Sequence, residues 1–176
     1  MRAIIPCAGK GNRIKNEGTS LPKCMLSLPN GEPLIQYTVE MLRSLGIDDI
    51  TIIVGYKADH LKPLLQSLDV QICLNPRFAE SNTAESMNCA TEKLDGSDDL
   101  LLFNGDSYFE PALIQKIMNA NSSPTILVDR ARASVADLQV YMENGIIIEY
   151  GKNIKKKVEQ EFTVEQMVAE TVVIYE

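Results

Sequence analysis

The stretch Ala3-Ile4-Ile5-Pro6-Cys7-Ala8-Gly9-Lys10-Gly11-Asn12-Arg13 decides the fold. Residues 2–8 form an apolar run with the make-up of a buried strand, and it opens directly into a glycine-rich loop carrying two cations. A second basic signal, Pro22-Lys23, follows ten residues beyond Arg13. Gly9 and Gly11 let a backbone come close to a ligand, and successive N–H groups in such a loop cradle anionic oxygens. Arg13 and Lys23 add the charge that a polyphosphate requires.

Three other readings of this loop are weaker. A glycine-rich turn after a strand is often only a tight turn. A dinucleotide site needs a third glycine where Ile14 stands, and an acid at the tip of the next strand, which ends Ile53-Val54-Gly55-Tyr56. A P-loop needs GxxxxGK[ST], which is absent. Taken with Pro22-Lys23, the loop Ala8-Gly9-Lys10-Gly11-Asn12-Arg13 resembles the signature of the sugar-phosphate and choline-phosphate nucleotidyltransferases.

Beyond the loop, strand and helix patterns alternate. Pro33 opens a helical pattern that Gly46 closes, and Ile50–Val54 reads as a continuous apolar strand. A helix is expected over Ala58–Leu68, with Pro63 in its first turn or at a kink. Val70–Leu74 is a third strand. A helix capped by Thr83 or Asn82 runs to Leu94, and Leu100–Phe103 is a fourth strand. Pro111 starts a further helix, and Thr125–Val128 is a fifth strand. This alternation predicts an α/β fold, a three-layer α/β/α sandwich around a mostly parallel mixed sheet. Glu143-Asn144-Gly145 between Leu138–Met142 and Ile146–Tyr150 predicts a hairpin, and a helix and a strand over Thr171–Tyr175 end the chain. Residues 1–176 are expected to form a single domain.

Two further constellations carry chemistry. In Leu101-Leu102-Phe103-Asn104-Gly105-Asp106 an aspartate follows a buried parallel strand, at the crevice where such sheets bind ligands. Asp106 either caps a turn or holds a hard cation, and a phosphate-binding loop on the first strand favours the cation. In Asn75-Pro76-Arg77-Phe78-Ala79-Glu80-Ser81-Asn82-Thr83-Ala84-Glu85-Ser86, short amides and hydroxyls cluster where a loop enters a helix. They suit both a connecting loop with a helix cap and contact with a nucleoside.

Composition excludes several function classes. Net charge is −7, which disfavours general nucleic-acid binding. With one histidine, His60, expected on an exposed helix face, neither triad hydrolysis nor a histidine-rich metal site is supported. Cys7, Cys24, Cys73 and Cys89 lack paired spacing and read as reduced thiols. No apolar run approaches the ~18 residues of a membrane span, and the N-terminus lacks the order of a signal peptide, so a cytoplasmic protein is expected.

The resemblance to the MobA-like, GT-A-type and Rossmann-like nucleotidyltransferases runs nearly end to end, and the Asn75–Ser86 segment is similar to the choline-phosphate and phosphonate cytidylyltransferases. It implies transfer of CMP from CTP to a phosphate- or phosphonate-bearing small molecule, with release of pyrophosphate. It implies nucleotide contacts at Ala8, Gly9, Lys10, Gly11, Asn12, Arg13, Asn75, Asn82 and Ser86. Arg13 and Lys23 would be catalytic, and Asp106 would hold Mg²⁺. On the acceptor side, the resemblance points to Lys152, which by its own sequence context reads as a surface lysine. Asp129, at the tip of the fifth strand, is either a turn residue or a substitute metal ligand. The resemblance also implies tens of residues beyond Tyr175, so the chain is expected to be a compact or truncated member, to be completed by a partner subunit such as its own copy in a homodimer, or to be impaired. Two alternatives stay open: a sugar-1-phosphate nucleotidyltransferase using another triphosphate, and a non-catalytic nucleotide-binding or regulatory protein.

Overall fold

A computed structural model of the chain describes residues 1–10, 21–92, 94, 96, 99–120, 125–127, 139–144 and 146–151. The chain divides into two compact units, Met1–Gln115 and Lys116–Glu176.

The first unit is built on four strands: β1 (Arg2–Cys7), β2 (Ile50–Val54), β3 (Gln71–Leu74) and β4 (Leu100–Leu102). They pair in the order β3-β2-β1-β4, and every pairing is parallel. The apolar runs explain why β1 and β2 are central: Ala3, Ile4, Ile5, Ile52, Ile53 and Val54 are all fully buried, as a strand covered on both faces requires.

Three helices make the crossovers: α1 (Leu34–Ser44), α2 (Ala58–Ser67) and α3 (Thr83–Thr91). Right-handed crossovers set α1 and α2 on one face and return α3 across the other. On the α3 face Ile4, Ala8, Ile53 and Ala90 form one cluster, with Cys73, Phe78, Met87, Leu94 and Leu102 packed against it. Helix α1 opens after Pro33 and ends before Gly46, whose φ of +82° suits the glycine that terminates a helix. Pro63 lies inside α2, beyond its first turn. Asn82, not Thr83, caps α3: its side chain accepts from Glu85 N while Glu85 reaches back to Asn82 N, a full capping box. A fourth helix, α4 (Pro111–Met118), follows β4.

Because the connections run outward from β1 to β3 and then cross back to β4, the switch point of the sheet lies between β1 and β4. The crevice beyond their carboxyl ends is the natural ligand site of such a fold.

The second unit contains the hairpin β5 (Gln139–Glu143) and β6 (Ile146–Gly151), paired antiparallel with a bulge at Tyr141/Met142. Asn144, in its turn, has a φ of +51°. Thr125 and Ile126 make isolated bridges, while Val128 and the expected strand Thr171–Tyr175 lie outside the described residues.

Candidate functional site

Ala8, Gly9 and Lys10 leave the end of β1 at the switch point. Ala8 is buried and its carbonyl accepts from Tyr56 N at 3.0 Å, which fastens the loop to the tip of β2. Gly9 and Lys10 are exposed, and nothing stands within 4 Å of the position a side chain would take on Gly9. The Lys10 ammonium lies 5.9 Å from the centre of the Phe78 ring, at the outer reach of a cation–π contact. Gly11, Asn12, Arg13, Asp129 and Lys152 lie outside the described residues.

On the neighbouring strand, Phe103 N bonds Ile4 O at 3.0 Å, extending the β1–β4 ladder by one residue before the chain turns through Asn104 and Gly105 to Asp106. The turn is pressed against β1. A Cβ on Gly105 would stand 2.4 Å from Cys7 Sγ and 2.8 Å from Pro6 O, so a glycine is required by close approach.

Lys23 opens a single 3-10 turn, Lys23–Met25, whose Cys24 is buried. Lys23 Nζ donates to Asp106 Oδ2 at 3.3 Å. The structure thus brings together the two residues, 83 positions apart, that the sequence marks for phosphate and for metal. Their side chains are 22% and 50% exposed, so both remain open to solvent. Close by, Cys7 and Cys24 are both buried, and the neighbouring Cys24 thiol, burial and the charge of Asp106 raise the Cys7 pKa well above its usual value. All four cysteines are free thiols, as expected.

The Asn75–Ser86 segment leaves β3 with an ordered polar centre. Asn75 is 2% exposed, and its N–H bonds Val54 O at 2.9 Å. Its Oδ1 accepts from Arg77 N at 2.9 Å, and its Nδ2 donates to both Ser81 Oγ and Ser86 Oγ at 2.8 Å. Both amide protons are therefore engaged within the protein. Asn82 is exposed and holds the start of α3, while Ser86 is buried on that helix's first turns. Sequence reasoning did not single out Ser81, Phe78 or Gly55. Phe78 packs where a Cβ on Gly55 would stand, 2.5 Å from Phe78 Cβ, and so braces the segment against the end of β2. The signal available for Ser81 was the Asn75-Pro76 pair, which favours a turn that folds a nearby hydroxyl back onto the asparagine.

Residues 3–142 match the MobA-like NTP transferase domain. The chain belongs to that family. It is 30% identical over 167 residues to the CTP:phosphoglutamine cytidylyltransferase of Campylobacter jejuni, covering 86% of this chain and 66% of that protein. It is 34% identical over 108 residues to the choline-phosphate cytidylyltransferase of Streptococcus pneumoniae, covering 61% of this chain and 45% of that one. The chain thus spans less than two thirds of the length of either relative. The structure of the inositol-1-phosphate CTP transferase from T. maritima superposes with a TM-score of 0.68 over 98% of this chain and 83% of that one; at 19% identity this likeness is one of fold, the GT-A-like nucleotidyltransferase fold.

Among the described residues, no three His, Cys, Asp or Glu side chains cluster to hold a metal, and no helix is long and apolar enough to cross a membrane. Asp106 therefore offers a single hard carboxylate at the carboxyl end of β4, beside the strand from which the glycine-rich segment Ala8-Gly9-Lys10 leaves. This donor set fits Mg²⁺, which takes one or two carboxylates and fills its remaining positions with phosphate oxygens and water.

Proposed function

We propose that this chain is a nucleotidyltransferase that transfers CMP from CTP to a phosphate- or phosphonate-bearing small molecule. An acceptor oxygen attacks the α-phosphorus in line, the bond from that phosphorus to the bridging oxygen breaks, and pyrophosphate leaves with the electron pair. The acceptor oxygen is already anionic, so no strong general base is needed, and the protein's work is positioning and charge neutralisation. The observation that carries the proposal is the convergence of Lys23 and Asp106 at 3.3 Å, at the switch point beyond β1 and β4. The relatives' names favour cytidine and phosphorylated acceptors. A phosphonate presents the same anionic oxygens.

In this reading Gly9 and Gly11 offer backbone donors to the triphosphate and Arg13 holds its outer phosphates. Lys23 neutralises the charge that gathers on the α-phosphate. Asp106 would hold Mg²⁺, which supplies electrostatic stabilisation to the phosphate oxygens. The Asn75–Ser86 segment faces the nucleoside. Asp129 and Lys152 belong to the acceptor side in this proposal, and use of CTP is in keeping with a protein that works in the cytoplasm. The test is a pyrophosphate-release screen that crosses CTP, UTP, ATP and GTP with phosphorylated alcohols, amides, sugars and phosphonates. Release with CTP and a phosphorylated acceptor is expected. Triphosphate binding without release across all acceptors would favour a regulatory protein, and release with another triphosphate and a sugar 1-phosphate would favour the sugar-nucleotide reading.

A further inference from the structure

We propose that Asn75 is a positioning residue that sets the hydrogen-bond polarity of the nucleobase pocket through Ser81 and Ser86. The inference rests on the cytidylyl-transfer reading above and concerns how the base is chosen.

The orientation of the Asn75 amide follows from its partners. Arg77 N is a backbone donor and requires an acceptor, so Oδ1 must face it, at 2.9 Å. Nδ2 then faces the two serine hydroxyls, each at 2.8 Å. An amide nitrogen accepts no hydrogen bond, so both hydroxyls act as acceptors toward Asn75. The proton of each is turned away from Asn75 and is free to be donated elsewhere. Donation from Nδ2 also polarises each hydroxyl and strengthens it as a donor.

Asn75 is 2% exposed, Ser86 is 7% exposed, and Ser81 is half-buried. All three stand where β3 passes into α3, and the segment is braced by Phe78 against Gly55 and linked to the phosphate loop through Lys10. Hydroxyls with protons to give suit a base that presents an acceptor. Cytosine and uracil differ in this respect at ring position N3, which is an acceptor in cytosine and an N–H donor in uracil. A serine hydroxyl that faces N3 therefore favours cytidine over uridine, whereas toward O2, an acceptor in both bases, it would not discriminate; the asparagine touches neither base.

Asn75→Asp reverses the relay with almost no change in shape. A carboxylate still accepts from Arg77 N, but it also takes the proton of each serine, leaving only lone pairs to face the base. The added charge opposes CTP and UTP equally, because they carry the same triphosphate, so the ratio of their affinities isolates the effect on the base. Calorimetry with CTP and with UTP, in the presence of Mg²⁺, measures that ratio for the wild type, Asn75→Asp, Ser81→Ala and Ser86→Ala, each checked for folding by thermal unfolding. The wild type is expected to prefer CTP. The ratio should fall about tenfold or more, toward UTP, in Asn75→Asp, and about tenfold in at least one serine variant, mainly through weaker CTP binding. A merely structural asparagine would weaken both nucleotides alike. If Asn75→Asp does not fold, the serine variants decide. A CTP-preferring wild type whose ratio stays within about twofold in every folded variant overturns the relay alone. A wild type without a preference for CTP overturns the cytidine reading and the relay with it.

Discussion

Removing either member of the Lys23–Asp106 pair should abolish most turnover while leaving the fold nearly untouched. The pair is 3.3 Å apart, with its side chains 22% and 50% exposed. Ion pairs this open contribute about 0.2–1 kcal/mol to stability, because water already solvates both charges. For a chain of this size that corresponds to a shift of at most about 4 °C in the unfolding midpoint. The same charges facing a transferring phosphoryl group are each worth about 2–4 kcal/mol of activation free energy. Lys23→Ala and Asp106→Asn should therefore each lower kcat/KM by about 30-fold to 1,000-fold. The two residues share one site, so the double variant should lose less than the product of the single losses. Pyrophosphate release measures the rates, and urea unfolding measures the stability. A loss of several kcal/mol of stability would show that the pair holds the fold together instead. A folded Lys23→Ala or Asp106→Asn with wild-type turnover would remove that residue from the mechanism.

Other perturbations test the framework of the site. Gly105→Ala places a methyl group 2.4 Å from Cys7 Sγ and 2.8 Å from Pro6 O, so it should cost about 1–3 kcal/mol in urea unfolding and also lower turnover by displacing Asp106. Adding Cys7→Ala relieves the sulfur but not the backbone oxygen, so recovery should be partial. Asn82→Ala removes a complete capping box and should cost about 1 kcal/mol, read from the same denaturation. Burial, with the neighbouring Tyr108 and the charges of Glu110 and Glu32, pushes the Tyr37 pKa from its ordinary 10 to about 12. Since the folded-state value is the higher one, its contribution to stability is whole below pH 10 and is lost as pH rises toward 12, which alkaline denaturation followed by tyrosinate absorbance should show.

The parts of this fold that are governed by local chemistry were legible in the sequence. The boundaries of β2, the glycine that ends α1 and the Asn144 hairpin turn follow from apolar continuity and from residues that tolerate positive φ. That the ends of β1 and β4, with Gly9 and Asp106 beyond them, lie side by side follows from the parallel pairing that the alternation of strands and helices predicts. Features fixed by tertiary contact were not legible. Pro63 reads as a residue for a first turn or a kink, and the structure excludes the first turn: α2 continues through it, with Leu61 and Leu65 fully buried on either side. Asn75 reads as a loop residue or a nucleoside contact, but it follows β3 into the interior, where two serines and a backbone N–H use its side chain. The contact between Lys23 and Asp106 spans 83 positions, and no periodicity encodes it.

The most direct test of the central claim is the release of pyrophosphate from CTP by the purified protein, with Mg²⁺, in the presence of a phosphorylated small-molecule acceptor, together with identification of the product by mass. The account predicts a stoichiometric CMP adduct of the acceptor, formed with CTP in preference to UTP, ATP and GTP and lost in Asp106→Asn. Pyrophosphate release that prefers another triphosphate, or that is undiminished in Asp106→Asn, would contradict it.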